Sequence, residues 1–551
     1  MKNNSFYSNH FIIALVLIVL NLVLKGVFLI DNSIAGDEPF SIYHAQMDIF
    51  SIINELAHGN NPPLYEIVLH FWIKAFGISP LSVRFPSLIF SCITVLFIYK
   101  LGKRFFNLEI GLLASLFFIF SNYQTLFAHE ARAYALVGML SVISMYYYLR
   151  VLINNELKTS ILLYFSIATI LLIYSHYFGF FILIIQLICF LFNKKLIKKY
   201  RKRIFIVSLI IILLYLPYIR ILIKRVIDSS MNGTWLSPVE DLGNLHDVFY
   251  TFSNNNTLIY LAFIILFWFT LAMLIYRSYF KGIKKPLLVV VIPLLFLTSF
   301  SIFIDLPVIW KITANSIFKS FFIITLIALI IFILFTKNNK KLLIQTKVIV
   351  FWFWFPLIVM FILSLESFPL NIPMFHDRYF IFFSNAFYFQ LAILSSLVIQ
   401  REKLKFIIPI IIILLFAFTM KPNISNNRNT EEAINKVKAL KDDQTIIYIS
   451  PSWFDLNFTY YYNVKYFEDY EKNLEKRLNR ENIYPISNQS HIESNHYSQF
   501  ERVIFLDAGI GPPVSKNDFL QLLKESTVLL DTHEFKEIFK VYEFKLKKGS
   551  I

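Results

Sequence analysis

The stretch NKKLIKKYRKRIFIVSLIIILLYLPYI (193–219) decides the fold class. Its first eleven residues hold seven Lys and Arg, and the sixteen that follow hold none. A basic cluster running straight into a long apolar segment marks a membrane-crossing helix with the cluster on its cytoplasmic side. Comparable runs lie near 11–30, 84–99, 108–121, 133–149, 160–174, 178–192, 258–276, 287–304, 317–335, 348–365, 379–399 and 406–420, thirteen in all. The run 11–30 is too long, and too little preceded by positive charge, for a cleaved signal peptide. It reads as a retained anchor whose Lys25 snorkels to the interface.

Composition supports this. Of 551 residues, 57% are hydrophobic and 16% charged, where soluble domains carry about 25% charged residues. Disorder, a coiled coil and an ordinary cytosolic enzyme are excluded, and a polytopic α-helical membrane protein with thirteen transmembrane helices is expected. The net charge of +16 follows the same logic. The N-terminus and every second loop (1–10, 100–107, 150–159, 193–203, 277–286, 336–347, 400–405) hold 24 Lys and Arg. The loops between them hold a handful, so the excess is a topology signal and no nucleic-acid partner is expected. Cys92 and Cys189 both sit inside apolar runs, which leaves no disulfide framework and no Cys-based metal site.

Residues 421–551 are different material, with 18 Lys and Arg against 19 Asp and Glu. TIIYIS (445–450) and RVIFLDAG (502–509) read as buried strands, and 430–441, 468–480 and 516–526 as helices. The chain therefore divides into a membrane module, 1–420, and a small soluble α/β domain, 421–551. Thirteen spans put the N-terminus in the cytoplasm and this domain in the extracytoplasmic space.

Acidic residues sort against the basic ones. Of 17 Asp and Glu in 1–420, only Glu109, Glu156 and Glu402 fall on the cytoplasmic side. Carboxylates barely affect topology, so the bias asks for another cause, and chemistry on the outer face is one. The first outer loop, 31–83, holds two helix starts suited to the membrane interface. One is GDEPF, with Pro39 at the first helical position; the other is GNNPPLYE, with Asn61 as cap and Pro62 at position one. Asp37 and Glu38 there have two readings, a helix cap or a carboxylate pair with one general base. His58 and Tyr65 flank the double proline as residues that could line a site. His129, Glu130, Arg132 and Tyr134 open the fourth span, and Glu130 and Arg132, two apart on a helix, face different groups. His129, His376 and His176 are further residues that could line a site, although for His176, in the turn between spans five and six, an aromatic belt is the simpler account. His376, Arg378 and Tyr379 open the twelfth span, and the Arg378 guanidinium suits an anionic ligand. The loop 224–257, with Trp235, Asp241 and His246, is long enough to cover a site. No His, Cys, Asp and Glu spacing matches a metal site, and no nucleotide-binding loop is present, so neither metal nor cofactor is expected.

Taken in order, Asp37-Glu38, Pro62-Pro63-Leu64-Tyr65, Arg84-Phe85-Pro86-Ser87-Leu88 and Glu130-Ala131-Arg132-Ala133-Tyr134-Ala135-Leu136 resemble the dolichyl-phosphate-mannose–protein mannosyltransferase superfamily. The bacterial branch is most similar: lipopolysaccharide-core glycosyltransferases and, more distantly, lipid A aminoarabinose transferases. The resemblance is dense over 36–180 and thinner to His376-Asp377-Arg378-Tyr379. It implies a GT-C glycosyltransferase that takes a sugar from a polyprenyl phosphate on the extracytoplasmic face of the bacterial inner membrane. Asp37 matches the catalytic base and Glu38 its neighbour. Glu130, Arg132, Arg378 and Tyr379 match positions expected near the donor. The Asn-, Ile- and Lys-rich composition points to undecaprenyl as the carrier, with an envelope glycan, lipid or protein as acceptor. The competing class is a transporter or flippase of lipid-linked sugars, which should carry charges near the midplane and broken helices in both halves.

Overall fold

The computed structural model describes residues 2–59, 61–192, 194–234, 236–239, 243–266, 341–369, 372–398, 406–424, 426, 428–468, 474–486, 496–509, 518–535 and 539–546. The expected spans 287–304 and 317–335, most of 258–276, Trp235 and Asp241 lie outside them.

Helices dominate. The N-terminal part runs α1 (Lys2–Gly26), α2 (Glu38–His44), α3 (Ile49–Ala57), α4 (Leu64–Phe76), α5 (Pro80–Phe105), α6 (Leu108–Ile119), α7 (Asn122–Ala128) and α8 (Tyr134–Leu152). Apolar helices follow at Thr159–Ser175, Gly179–Leu191, Lys194–Tyr215, Lys341–Leu363, Ile381–Val398 and Ile407–Thr419. Among the described residues, five helices are long and apolar enough to cross a membrane, six if the bent pair α6–α7 counts as one. The protein is thus a helical membrane protein, and the described parts of the expected spans fold as helix.

Close packing at the base of α5 explains one feature of the sequence. Gly102 lies against Gly111 of α6 so tightly that a Cβ at position 102 would meet the Gly111 Cα at 2.5 Å. Lys25 differs from its expectation. Instead of snorkelling it is fully buried, its Nζ 3.4 Å from the Phe118 carbonyl and 3.5 Å from Ser91 Oγ, with the Phe118 ring 4.4 Å away. Ser91 and Asn21 supply the polar lining that replaces water there.

The third expected span, 108–121, ends at a break. α6 stops at Ile119 and α7 leaves at 64°. A break inside apolar surroundings exposes backbone groups that need partners. Asn254 supplies them: its side chain donates to the Phe120 carbonyl (2.9 Å) and accepts from Asn122 N (2.8 Å). Ser121 caps α7 and meets Tyr388 Oη at 2.6 Å. The bend carries α7 across to the loop 129–133.

The C-terminal part holds a five-stranded sheet of order β2-β1-β3-β5-β4, with β1 Thr445–Ser450, β2 Ile483–Pro485, β3 Arg502–Asp507, β4 Thr527–Phe535 and β5 Phe539–Leu546. β1 pairs in parallel with β2 and β3, and β5 runs antiparallel to β3 and β4. β1 is buried along its whole length because helices cover both faces, which is why it reads as a continuous apolar run. The helix Thr430–Leu440 packs Ala433, Ile434 and Val437 on one face, and Leu523 lies on the other. This part rests on the first loop: Tyr461 Oη accepts from Ile34 N (2.6 Å), Asn457 donates to the Gly36 carbonyl (3.0 Å), and Tyr460 Oη donates to the Ile78 carbonyl (2.7 Å).

Candidate active site

Loop 31–37 delivers Asp37, and Arg84 shapes that loop. Arg84 is 1% exposed and donates to the Leu29, Asn32 and Ser33 carbonyls at 2.8–3.1 Å. Its remaining donors grip Glu38, at 2.8 Å from Nε and 2.7 Å from Nη2. Glu38 also accepts from Ala131 N (2.9 Å) and Ala35 N (3.2 Å). One buried carboxylate therefore ties the loop, α5 and the 129–133 segment together. With both oxygens so engaged, Glu38 is built as an anchor rather than as a reacting group.

Asp37 is different. α2 begins at Glu38, one residue before Pro39, and Asp37 stands at its N-cap position without capping by its side chain. The carboxylate turns instead to Arg378, Oδ2 to Nη1 at 2.5 Å, across 341 positions of sequence. About half of the Asp37 side chain is exposed (47%), and Arg378 is 24% exposed. Desolvation pushes the Asp37 carboxyl up, but the Arg132 and Arg378 guanidiniums, with Arg428 beyond them, outweigh it and hold the group below its usual range. Gly36 makes the approach possible. Its φ is +62°, and a Cβ there would strike the Arg428 guanidinium.

Arg132 reaches the same place from the start of α8. Its Nη1 donates to Ser41 Oγ (2.7 Å), lies 3.4 Å from the Asp37 carbonyl and sits 3.8 Å from Glu66 Oε1. Ser41 in turn donates to Glu66 (2.7 Å). The charges beside Arg132, Asp37 foremost, raise its pKa further despite burial. Glu130 lies beside them with its backbone carbonyl held by Ser87 Oγ (2.7 Å). Burial raises its carboxyl to about 7, Glu38 adds to the rise, and Arg378 partly offsets it. Arg378 also meets Tyr134 Oη at 3.5 Å. Its own turn is fixed by Tyr123 Oη, which donates to the Asp377 carbonyl (2.6 Å).

The histidines have structural posts. His129 Nε2 donates to the Lys25 carbonyl (2.6 Å), and burial lowers its pKa to about 4. His176 Nδ1 accepts from Phe178 N (3.2 Å), its ring sits 5.5 Å from Tyr379, and burial lowers it to about 3. His376 caps the turn 377–380 through Nδ1 and is lowered to about 4, burial again first. All three are neutral at ordinary pH. His58 is exposed at the end of α3, bonded to the Asn54 carbonyl (3.0 Å). Tyr65 is wholly buried as a core residue. His58 is not brought to the charged cluster, whereas α4, which starts at Leu64 with Pro63 at its N-cap, turns Tyr65 inward to lie within reach of the Glu66, Glu38 and Arg132 charges. Sequence reasoning missed Ser41, Glu66, Arg84 and Arg428 as parts of the cluster. Two of them carried a local signal: Glu66, one residue after the Pro-Pro-Leu-Tyr motif, and Arg84, the first residue of the Arg-Phe-Pro-Ser-Leu motif.

Residues 60–220 match the family described as dolichyl-phosphate-mannose-protein mannosyltransferase. The match covers Glu66, Arg84, Glu130 and Arg132 and agrees with the resemblance drawn from the ordered motifs; the class it gives is a membrane glycosyltransferase. No curated protein matches the chain. Among solved structures, ArnT from Cupriavidus metallidurans in the apo state is similar at TM-score 0.45 and 10% identity, covering 98% of each chain. The same protein bound to undecaprenyl phosphate gives 0.45 and 9%, over 96% of this chain and 97% of that one. The archaeal oligosaccharyltransferase AglB from Archaeoglobus fulgidus, with an inhibitory peptide and a dolichol-phosphate, gives 0.43 and 11%, over 98% and 74%.

Proposed function

We propose that the chain is a GT-C glycosyltransferase that moves a sugar from a polyprenyl phosphate, undecaprenyl in a bacterial inner membrane, to an acceptor hydroxyl on the extracytoplasmic face, with inversion. In this reading residues 1–420 form the membrane module of thirteen helices with a cytoplasmic N-terminus, and 421–551 form an extracytoplasmic domain braced on the first outer loop. The observation that carries it is the Asp37–Arg378 pair. A carboxylate and a guanidinium 341 positions apart in the chain meet, partly open, beside Arg132 and Glu130.

The chemistry follows from what leaves. A lipid phosphate departs without protonation, so one base is enough, unlike the two carboxylates of a glycoside hydrolase. Asp37 takes the proton of the acceptor hydroxyl as its oxygen attacks the anomeric carbon. The C–O bond to phosphate breaks on the opposite face, and Arg378 and Arg132 take up the charge on the departing phosphate. Arg132 and, through its direct bond, Arg378 hold Asp37 in a weakly basic state. A phosphate that takes Arg378 replaces that partner, and Asp37 then becomes the stronger base. Donor binding thereby readies the base.

The test offers purified protein, with membranes of the native host, a panel of radiolabelled polyprenyl-phosphate sugars. Label passing from one carrier to an acceptor, with the anomeric configuration inverted, is the expected result. Binding of every donor with no transfer, together with movement of donor across vesicle walls, would favour a transporter.

A further inference from the structure

We infer that the end of the bundle remote from the candidate site binds an anionic glycerophospholipid, one acyl chain lying in the groove between α1 and α5 and the phosphate resting against Lys100 and Lys103. The groove has a volume of about 510 Å³. One wall is a single face of α1 (Phe11, Ala14, Leu15, Ile18), the other a single face of α5 (Leu96, Tyr99), with Tyr146 of α8 as floor. Both walls are apolar, and Phe11 and Leu15 are 70% and 48% exposed, so the groove is open to lipid. Its polar groups lie together at one end: His10, Lys100, Lys103 and Arg104. They meet there because the N-terminus of α1 stands beside the C-terminus of α5, where His10 Nδ1 meets Tyr99 Oη at 3.2 Å. Arg104 is engaged by Glu156. Among the described residues no carboxylate bonds Lys100, whose ammonium lies 5.0 Å from the Phe97 ring.

An apolar slot closed by cations has the shape of a lipid with an anionic headgroup, and basic side chains near a bilayer surface draw such lipids. Length chooses between lipids. His10 to Ile18 spans about 12 Å at the helical rise, close to one leaflet of a hydrocarbon core about 30 Å thick. An acyl chain fits that length; a polyprenyl chain overruns it several times. The opposite end of α1 leads to the site, since the Lys25 carbonyl holds His129. A lipid here would therefore fix the helix that carries loop 31–37. The inference rests on the membrane character of the chain and not on the proposed transfer reaction.

The experiment measures thermal unfolding of the full chain in phosphatidylcholine nanodiscs with and without phosphatidylglycerol. Wild type should melt several degrees higher with phosphatidylglycerol. The double variant Lys100→Gln, Lys103→Gln should lose most of that rise, and so should Ala14→Trp, which fills the slot without touching a charge. Equal rises in wild type and both variants would overturn the inference, because only a general surface effect would remain. If the double variant fails to fold in phosphatidylcholine, Ala14→Trp decides alone. A larger rise from undecaprenyl phosphate, lost in the same variants, would overturn the assigned occupant.

Discussion

Replacing Glu38 by Ala should unfold the site before it slows any chemistry. In the native arrangement Glu38 and Arg84 are 3% and 1% exposed and joined by two bonds of 2.7–2.8 Å. Removing one member of a buried pair leaves an uncompensated charge, at about 3–5 kcal/mol. Arg84 keeps its three carbonyl partners, which sets the lower end of that range. The amides of Ala35 and Ala131 lose their acceptor as well, each at about 1–3 kcal/mol unless water enters. A loss of about 5 kcal/mol is the reasonable sum. With an unfolding entropy of about 2.1 cal/mol/K per residue, it lowers the melting midpoint of this chain by about 4 °C. The assay is thermal unfolding of purified protein in detergent, followed by an ordered-to-disordered signal and by retained donor binding. Glu38→Gln, which keeps the shape and one acceptor oxygen, should fall in between. A melt within a degree of wild type would refute the anchor. Loss of activity with an unchanged melt would refute it too, and would make Glu38 a reacting group.

Three further outcomes follow. Glu130 holds its proton to about pH 7 in the folded chain against 4.5 ordinarily, so stability from the neutral form is full below pH 4.5 and lost as pH rises through 7; Glu130→Gln should melt above wild type at pH 8 and level with it at pH 4.5, and a pH-independent difference would sink the assignment. Asp37→Asn should bind undecaprenyl phosphate about fivefold tighter, since a partly exposed pair worth up to about 1 kcal/mol no longer competes for Arg378; equal or weaker binding in a filter assay counts against the exchange of partners. Gly102→Leu should abolish folded protein in size-exclusion profiles, because the Gly111 backbone already occupies the space; a normal profile would show that α5 and α6 cross elsewhere.

What could be read in the sequence was what local pattern determines. The apolar runs were long enough to name as helices, and TIIYIS was recognisable as β1 because a strand covered on both faces has no polar side. Asp37 and Arg378 stood out because charge at the end of an apolar run needs a reason. Their bond to each other did not, since nothing local joins positions 341 apart. The break at Ser121 was invisible for the same cause: no Pro or Gly marks it, and the side chain that satisfies it, Asn254, lies more than a hundred residues on. Arg84 read as part of a motif but serves as the scaffold of loop 31–37. Lys25 looked like an interfacial lysine and is instead fully buried, because Asn21, Ser91 and the Phe118 carbonyl form a polar recess that apolar neighbours in the sequence conceal.

The most direct test of the central claim is the transfer rate of Asp37→Asn at saturating donor and acceptor. With Asp37 as the base, sugar release should fall by about 10²–10⁴ while the donor stays bound. A rate within a few-fold of wild type would contradict the account, leaving Asp37 only as the partner of Arg378 and moving the proton acceptor to another group.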